Sequence, residues 1–306
     1  MKGTVVKSTG SWYLVKTESE KVIPCRLKGK FRLKGIKHTN PVTVGDKVEF
    51  EMEPESENGI IHSIQDRKNY IIRKANNLSK QTHIIASNLD QTLLIATLAY
   101  PRTSLGFMDR FIITSEAYHI PTILVFNKSD LMKGEAEFAV DETIKLYEGI
   151  GYKCLKTSTV SGEGIEDLKL LLKDKVSLLS GHSGVGKSTL LNHIEPNLEI
   201  KTKAISTYSL KGQHTTTFAE MHPLSFGGSI IDTPGIREFG LVDFDNAEVS
   251  HYFKEMQPLI GQCKYNNCQH VNEPGCAIQK AVSEGRISEE RFSSYLSIIS
   301  NVDIYE

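Results

Sequence analysis

The run Gly181-His182-Ser183-Gly184-Val185-Gly186-Lys187-Ser188, followed by Thr189, has the spacing Gly-x-x-x-x-Gly-Lys-Ser. Glycines placed this way let successive backbone N–H groups turn inward around phosphate oxygens, at the positive end of a following helix. Lys187 would reach the outer phosphates and Ser188 would ligate Mg²⁺. The same spacing also arises in chance glycine turns, so the flanks matter. Val176, Leu178 and Leu179 read as a buried strand before the loop, and Lys187 to Ile194 read as a helix after it.

Two more groups fall where such a loop needs them. Asp232-Thr233-Pro234-Gly235 follows the apolar strand Ser229-Ile230-Ile231. That puts the Asp232 carboxylate at a strand end, where it would hold Mg²⁺ through water, and gives Gly235 an N–H that can approach a γ-phosphate. Asn127-Lys128-Ser129-Asp130 ends the strand Thr122 to Phe126. The Asp130 carboxylate can accept from both N1 and N2 of guanine, and adenine has no such pair on that edge, so GTP is expected rather than ATP. Taken alone, the tetrad reads equally well as a polar loop after a strand. Thr157-Ser158-Thr159 follows the strand Tyr152 to Leu155, and Ser158 is the candidate there for a backbone contact to the base. In the usual arrangement of these motifs the phosphate loop comes first; here the guanine motif precedes it. The nucleotide machinery is expected complete but circularly permuted.

A second constellation lies near the C-terminus. Cys263, Cys268, His270 and Cys276 are spaced Cys-x4-Cys-x-His-x5-Cys. Three soft thiolates and an imidazole favour Zn²⁺, and four protein ligands leave no open position, so one structural zinc is expected. Asn266, Asn267, Pro274 and Gly275 supply turn chemistry for such a knuckle. The alternative is a group of small buried cysteines in a reducing compartment. Cys25 and Cys154 stand apart and read as inert packing residues.

The elements that must position these groups divide the chain of 306 residues into a multi-domain architecture. Short alternating segments in 1–65 predict an N-terminal OB-type β-barrel, the expected RNA-binding domain if the basic runs below face a polyanion. Trp12, Tyr13 and Phe31 would either stack on bases or fill its core. Residues 66–88 read as a basic linker. In 89–241 strands alternate with helical patterns such as Phe107 to Tyr118 and Glu135 to Ile150, predicting a central α/β domain that carries the permuted nucleotide motifs. Residues 242–306 read as a mostly α zinc-binding domain, with helices over Asp245 to Met256 and Ala277 to Ile299. The formal charge of −1 predicts no global attraction to nucleic acid. Charge distribution differs: Lys21, Arg26, Lys28, Lys30, Arg32, Lys34 and Lys37 form an acid-free run, and Arg67, Lys68, Arg73, Lys74 and Lys80 a second. Either run can be a solvated face, but two near one end of the chain favour a polyanion-facing patch. There is no apolar segment of signal-peptide length or of the roughly 18 residues that a membrane span needs, so a cytoplasmic protein without membrane partners is expected.

A barrel with basic runs, a guanine motif ahead of Gly-His-Ser-Gly-Val-Gly-Lys-Ser-Thr, and then Cys-x4-Cys-x-His-x5-Cys together resemble the RsgA or YjeQ family of small-subunit-dependent GTPases. The resemblance covers essentially the whole chain. It implies a bacterial factor, expected to be monomeric, that binds the small ribosomal subunit and its rRNA late in assembly. Such a factor hydrolyses GTP slowly alone and faster on the subunit, and leaves once the subunit is mature. The family's zinc ligands carry over to Cys263, Cys268, His270 and Cys276. Thr157-Ser158-Thr159 departs from the more usual Ser-Ala pair. Many GTPases carry a water-orienting Gln after Asp-x-x-Gly, whereas here that residue is Ile236, whose aliphatic side chain cannot hold water. Gly212 to Thr217 resembles the family's first switch: Thr215 or Thr216 would complete the Mg²⁺ shell. His214 would either orient the attacking water or only contact RNA or solvent. Two functions stay open, an RNA-stimulated GTPase and a non-catalytic rRNA-binding module stabilised by guanine nucleotide. The motif order also predicts that the segment after Asp232 runs into the zinc helices, so that hydrolysis could reorient them against the barrel.

Overall fold

The computed structural model describes residues 1–28, 41–74, 82–198, 219–232 and 245–300. The first five strands are β1 (Lys2–Ser8), β2 (Tyr13–Thr17), β3 (Val22–Leu27), β4 (Lys47–Met52) and β5 (Gly59–Ile64). They pair in the order β1-β2-β3-β5-β4, and a β1–β4 pairing closes the ring. Alternation builds this barrel: Tyr13 and Val15, and Val48 and Phe50, point inward at period two and pack with Val5, Cys25 and Ile61. The result is the expected OB-type barrel. Tyr13 fills its core, whereas Trp12 stays 42% exposed on the turn before β2, and Phe31 lies outside the described residues. Burial pushes the Cys25 thiol up to about 11 and the Cys154 thiol up to about 12, as inert packing residues require.

The segment 66–88, expected as a basic linker, carries a hairpin. β6 (Tyr70–Lys74) and β7 (Thr82–Ser87) pair as an antiparallel hairpin. Its strands carry Ile71, Ile72, Ile84 and Ile85, whose branched side chains favour strands and whose burial stabilises pairing. Arg67 does not face a polyanion either. Its Nε and one terminal nitrogen donate to the two oxygens of fully buried Asp46, each at 2.7 Å, and that nitrogen also donates to the Pro41 carbonyl at 2.9 Å. Asp46 further accepts from Thr43 N and Ser87 Oγ, so one satisfied buried carboxylate ties the barrel to the hairpin. Lys68 pairs with Asp90 at 3.0 Å.

The central sheet uses β8 (Gln91–Ala96), β9 (Thr122–Asn127), β10 (Lys153–Thr157), β11 (Val176–Ser180), β12 (Glu220–Pro223) and β13 (Ser229–Asp232). Their order is β10-β9-β8-β11-β13-β12, parallel except for β12. Among the described residues four helices cover it: α1 (Leu105–Ala117), α2 (Glu135–Ile150), α3 (Ile165–Leu172) and α4 (Lys187–Ile194). Leu94, Leu124 and Ile231 pack on one face with Phe107, Phe111 and Tyr147 from α1 and α2. Leu93, Ile123 and Ile230 pack on the other with Leu168, Leu190 and Leu191 from α3 and α4. Burial on both faces explains why these strands read as continuous apolar runs.

The C-terminal region holds α5 (Asn246–Val249), α6 (Ala277–Ser283) and α7 (Glu289–Ser300). Both expected helices are shorter than predicted. The first is a single turn of α-helix followed by 3₁₀ turns at Ser250–Tyr252 and Gln257–Leu259. The second breaks after Ser283, where Gly285 sits at φ +72°, and restarts when Ser288 Oγ accepts from Arg291 N at 3.2 Å. Ile113 of α1 belongs to the same apolar cluster as Phe253, Met256, Ile278 and Tyr295.

Arg291, 1% exposed, pins α7 to α1 by donating to Asp109 Oδ1 at 2.5 Å and to Glu255 Oε1 at 2.6 Å. Burial works against its charge, but Asp109 and Glu255 overcome that and raise its pKa. The expected link from Asp232 to the zinc helices runs through 233–244, outside the described residues; the contact on view is α1 against α7. Among the described residues no helix is long and apolar enough to cross a membrane.

Candidate active site

β9, β10, β11 and β13 run parallel, so Asn127, Thr157, Ser180 and Asp232, at their C-terminal ends, share one edge of the sheet. That edge is where open α/β sheets bind ligands. Strand order in space, not in the chain, sets the site, which is why the permuted motifs still converge.

The phosphate loop and the guanine motif are bolted together. Asn127, 3% exposed, donates from Nδ2 to the Val185 carbonyl at 2.9 Å and accepts from Thr157 Oγ1 at 3.0 Å. Gly186 sits at φ +93°, and a Cβ there would come within 2.6 Å of Asn127 Nδ2, so both the turn and the close approach need glycine. Lys128 Nζ donates to the Gly184 and Tyr100 carbonyls, each at 2.7 Å. Val185 is buried among Leu190, Leu191 and Ile95 and anchors the loop, leaving Ser183 and Gly184 exposed. The His182 ring lies over Phe107 of α1 with centroids 3.9 Å apart.

Lys187 and Ser188 open α4, both half-buried, and Thr189 is exposed beside them. Lys187 Nζ donates to the Gly181 carbonyl at 2.5 Å and the His182 carbonyl at 2.8 Å. Burial lowers its pKa from the ordinary lysine value, with the charge of Asp232 opposing. Asp232 ends β13 opposite Leu179 of β11, at the foot of the loop. His214, Thr215, Thr216, Gly235 and Ile236 lie outside the described residues.

Asp130 is held by Ser158, the residue expected to contact the base. Ser158 Oγ donates to Asp130 Oδ1 at 2.6 Å and accepts from Val160 N and Ser161 N at 3.1 and 3.2 Å. The Ser158 N–H donates to the Glu163 carbonyl at 3.0 Å. Glu163 makes a second fastening, accepting from Ser129 Oγ at 2.6 Å. Thr157, Glu163, Tyr100 and Phe107 were not singled out as site residues. Only Thr157 carried a signal, its place in the third motif; the others act through contacts between segments far apart in the chain.

In the second cluster the four ligand atoms of Cys263, Cys268, His270 and Cys276 all lie within 4.8 Å of one another. His270 Nδ1 is 3.5 Å from Cys263 Sγ and 3.4 Å from Cys276 Sγ, and the two sulfurs are 3.9 Å apart. A tetrahedron with metal–sulfur bonds of ~2.3 Å and a metal–nitrogen bond of ~2.0 Å has edges of roughly 3.8 and 3.5 Å, so the donor set fits such an ion. Glu273 braces the loop by accepting from Gln269 N, Val271 N and Asn272 N.

A family model described as "RsgA GTPase" matches residues 64–242, and one described as "RsgA N-terminal domain" matches residues 2–61. The chain belongs to the RsgA GTPase family. It is 52% identical over 301 residues to a Bacteroides fragilis protein named "Small ribosomal subunit biogenesis GTPase RsgA", covering 98% of this chain and 97% of that one. A Flavobacterium psychrophilum protein of the same name is 54% identical over 308 residues, covering 99% and 94%. Among solved structures, YjeQ from Thermotoga maritima superposes with a TM-score of 0.77 at 36% identity, covering 98% of both chains. YloQ, described as a circularly permuted GTPase, gives 0.74 at 28% identity and covers 98% and 94%. This RsgA-family chain is a GTP-hydrolysing enzyme with permuted motifs, and the non-catalytic module is set aside.

Proposed function

We propose that this RsgA-family GTPase acts on the small ribosomal subunit in the cytoplasm, as a monomer, and serves as a late assembly checkpoint whose GTP hydrolysis the subunit stimulates. The observation that carries this is the convergence of guanine motif, phosphate loop and Asp232 on one sheet edge, in a chain matched end to end by proteins named for small-subunit biogenesis.

In this reading Gly181 to Thr189 cradle the phosphates, Lys187 leaves its two loop carbonyls for the outer phosphates, and Asn127 to Asp130 read the base, with Ser158 steadying Asp130. Ser188, Asp232 and Thr215 or Thr216 would hold Mg²⁺, which neutralises charge on the transferred phosphoryl group. Gly235 would approach the γ-phosphate. His214 would orient the water, a role that Ile236 cannot fill. Cys263, Cys268, His270 and Cys276 would hold one structural Zn²⁺. Lys28, exposed just after β3 at the end of the β2–β3 pair where Trp12 is also exposed, and Lys21, exposed just before β3 at its other end, supply basic and aromatic groups toward rRNA.

Co-sedimentation tests the partner. With a nonhydrolysable GTP analogue the chain is expected to travel with purified small subunits, and less so with GDP or at raised salt. Failure to co-sediment at low salt with either nucleotide would overturn the proposal.

A further inference from the structure

The barrel and the nucleotide site share a sheet, and the seam between them is narrow. Among the described residues β1 pairs with β12 at one register position, Lys7 opposite Glu220. Lys7 Nζ also meets Glu220 Oε2 at 2.7 Å, both side chains about one-third exposed at 35% and 39%. On its other side Glu220 stands opposite Asp232 in the β12–β13 pairing. Lys7, Glu220 and Asp232 therefore form one row across three strands.

β1 is shaped to straddle two cores. Its register slips between Val5 and Lys7 against β2, the mark of a bulge. Val5 points into the barrel core, while Val6 packs against the cluster of the central sheet together with Ala219, the residue before β12. A groove of about 730 Å³ runs along the joint, lined by Thr4 and Val6 of β1, Met221 of β12 and Ser229 of β13. Among the described residues the seam is one register position beside this groove, whereas the Asp46–Arg67 clamp is buried.

We propose that the Lys7–Glu220 pair is the coupling element through which engagement of the barrel sets the position of the Asp232 strand, and so the rate of GTP turnover. This rests on the proposed stimulation by the small subunit and specifies its route. Between binding equilibria such coupling is reciprocal, so nucleotide bound at the Asp232 strand also biases β1.

Charge reversal tests it. Lys7→Glu and Glu220→Lys alone are expected to lower subunit-stimulated turnover about tenfold, within the usual range for coupling between sites, with unstimulated turnover and GDP affinity within about twofold of wild type. The double swap Lys7→Glu/Glu220→Lys restores stimulation. If both single variants are stimulated like wild type, or the swap fails to restore stimulation that each single change removed, the coupling is wrong. Hydrogen exchange reads the seam with no ribosome present. Replacing GDP by a nonhydrolysable GTP analogue should change protection of the β1 amides in wild type and not in Glu220→Lys. A wild-type β1 indifferent to nucleotide overturns the seam. A wild type unstimulated by subunits whose β1 still responds overturns the ribosomal reading alone.

Discussion

Asp130→Asn is expected to turn the chain from a guanine-selective into a xanthine-selective nucleotide binder. A carboxylate accepts from both N1–H and the N2 amine of guanine. An amide keeps one acceptor and presents one donor, which meets the carbonyl that xanthine carries at that position. Hydrogen bonds to charged groups contribute about 1.5–3 kcal/mol each, so losing one or both predicts GDP binding weaker by roughly 10- to 10⁴-fold, with XDP binding gained. Ser158 Oγ, 2.6 Å from Asp130 Oδ1, can donate equally to an amide oxygen, so the exchange is close to isosteric and the fold is kept. Competition between GDP and XDP for a fluorescent nucleotide measures it. GDP affinity unchanged in Asp130→Asn would mean that this carboxylate does not read the base.

Removing the metal is expected to cost the C-terminal region its fold. Structural zinc contributes about 10–16 kcal/mol of apparent binding free energy in small sites at neutral pH, comparable to the stability of a whole domain. The candidate ligands are also structural parts: Cys276 is buried among Phe253, Ile278 and Tyr295, and its sulfur accepts from Gln279 N to cap α6. The purified chain should carry one zinc per molecule. Cys276→Ala should lack it and lose cooperative melting of 245–300, while GDP binding, built on other strands, persists. Calorimetry with metal analysis reads both. A metal-free chain that melts like wild type would show that the cysteines are only packing residues.

The chemistry was legible in the sequence where it depends on local spacing. Gly181 to Ser188 fix a turn by their own φ requirements, and Cys263 to Cys276 span a single loop, so both could be read without knowing the fold. Asp130 stood out as a candidate base contact, but its support by the Ser158 hydroxyl was not legible, because that bond joins two strand ends that only the sheet brings together. The basic residues of 66–88 hid a hairpin: composition suggested a linker, while Ile71, Ile72 and Ile84 between the charges paired as strands. Arg67 shows the same limit from the other side. A cation in a basic run was counted toward RNA, yet Asp46, distant in sequence and fully buried, claims it. The break of the last helix followed from Gly285, a local signal outweighed by the apolar period on either side.

GTP turnover with and without purified small ribosomal subunits tests the central claim most directly. The site has its phosphate loop, guanine reader and Asp232 in place but an aliphatic residue at Ile236, so the chain alone should turn over slowly. Added small subunits should raise the rate at least about tenfold, large subunits should not, and His214→Ala should bind GTP normally while losing the stimulated rate. Equal turnover with and without small subunits would contradict the account.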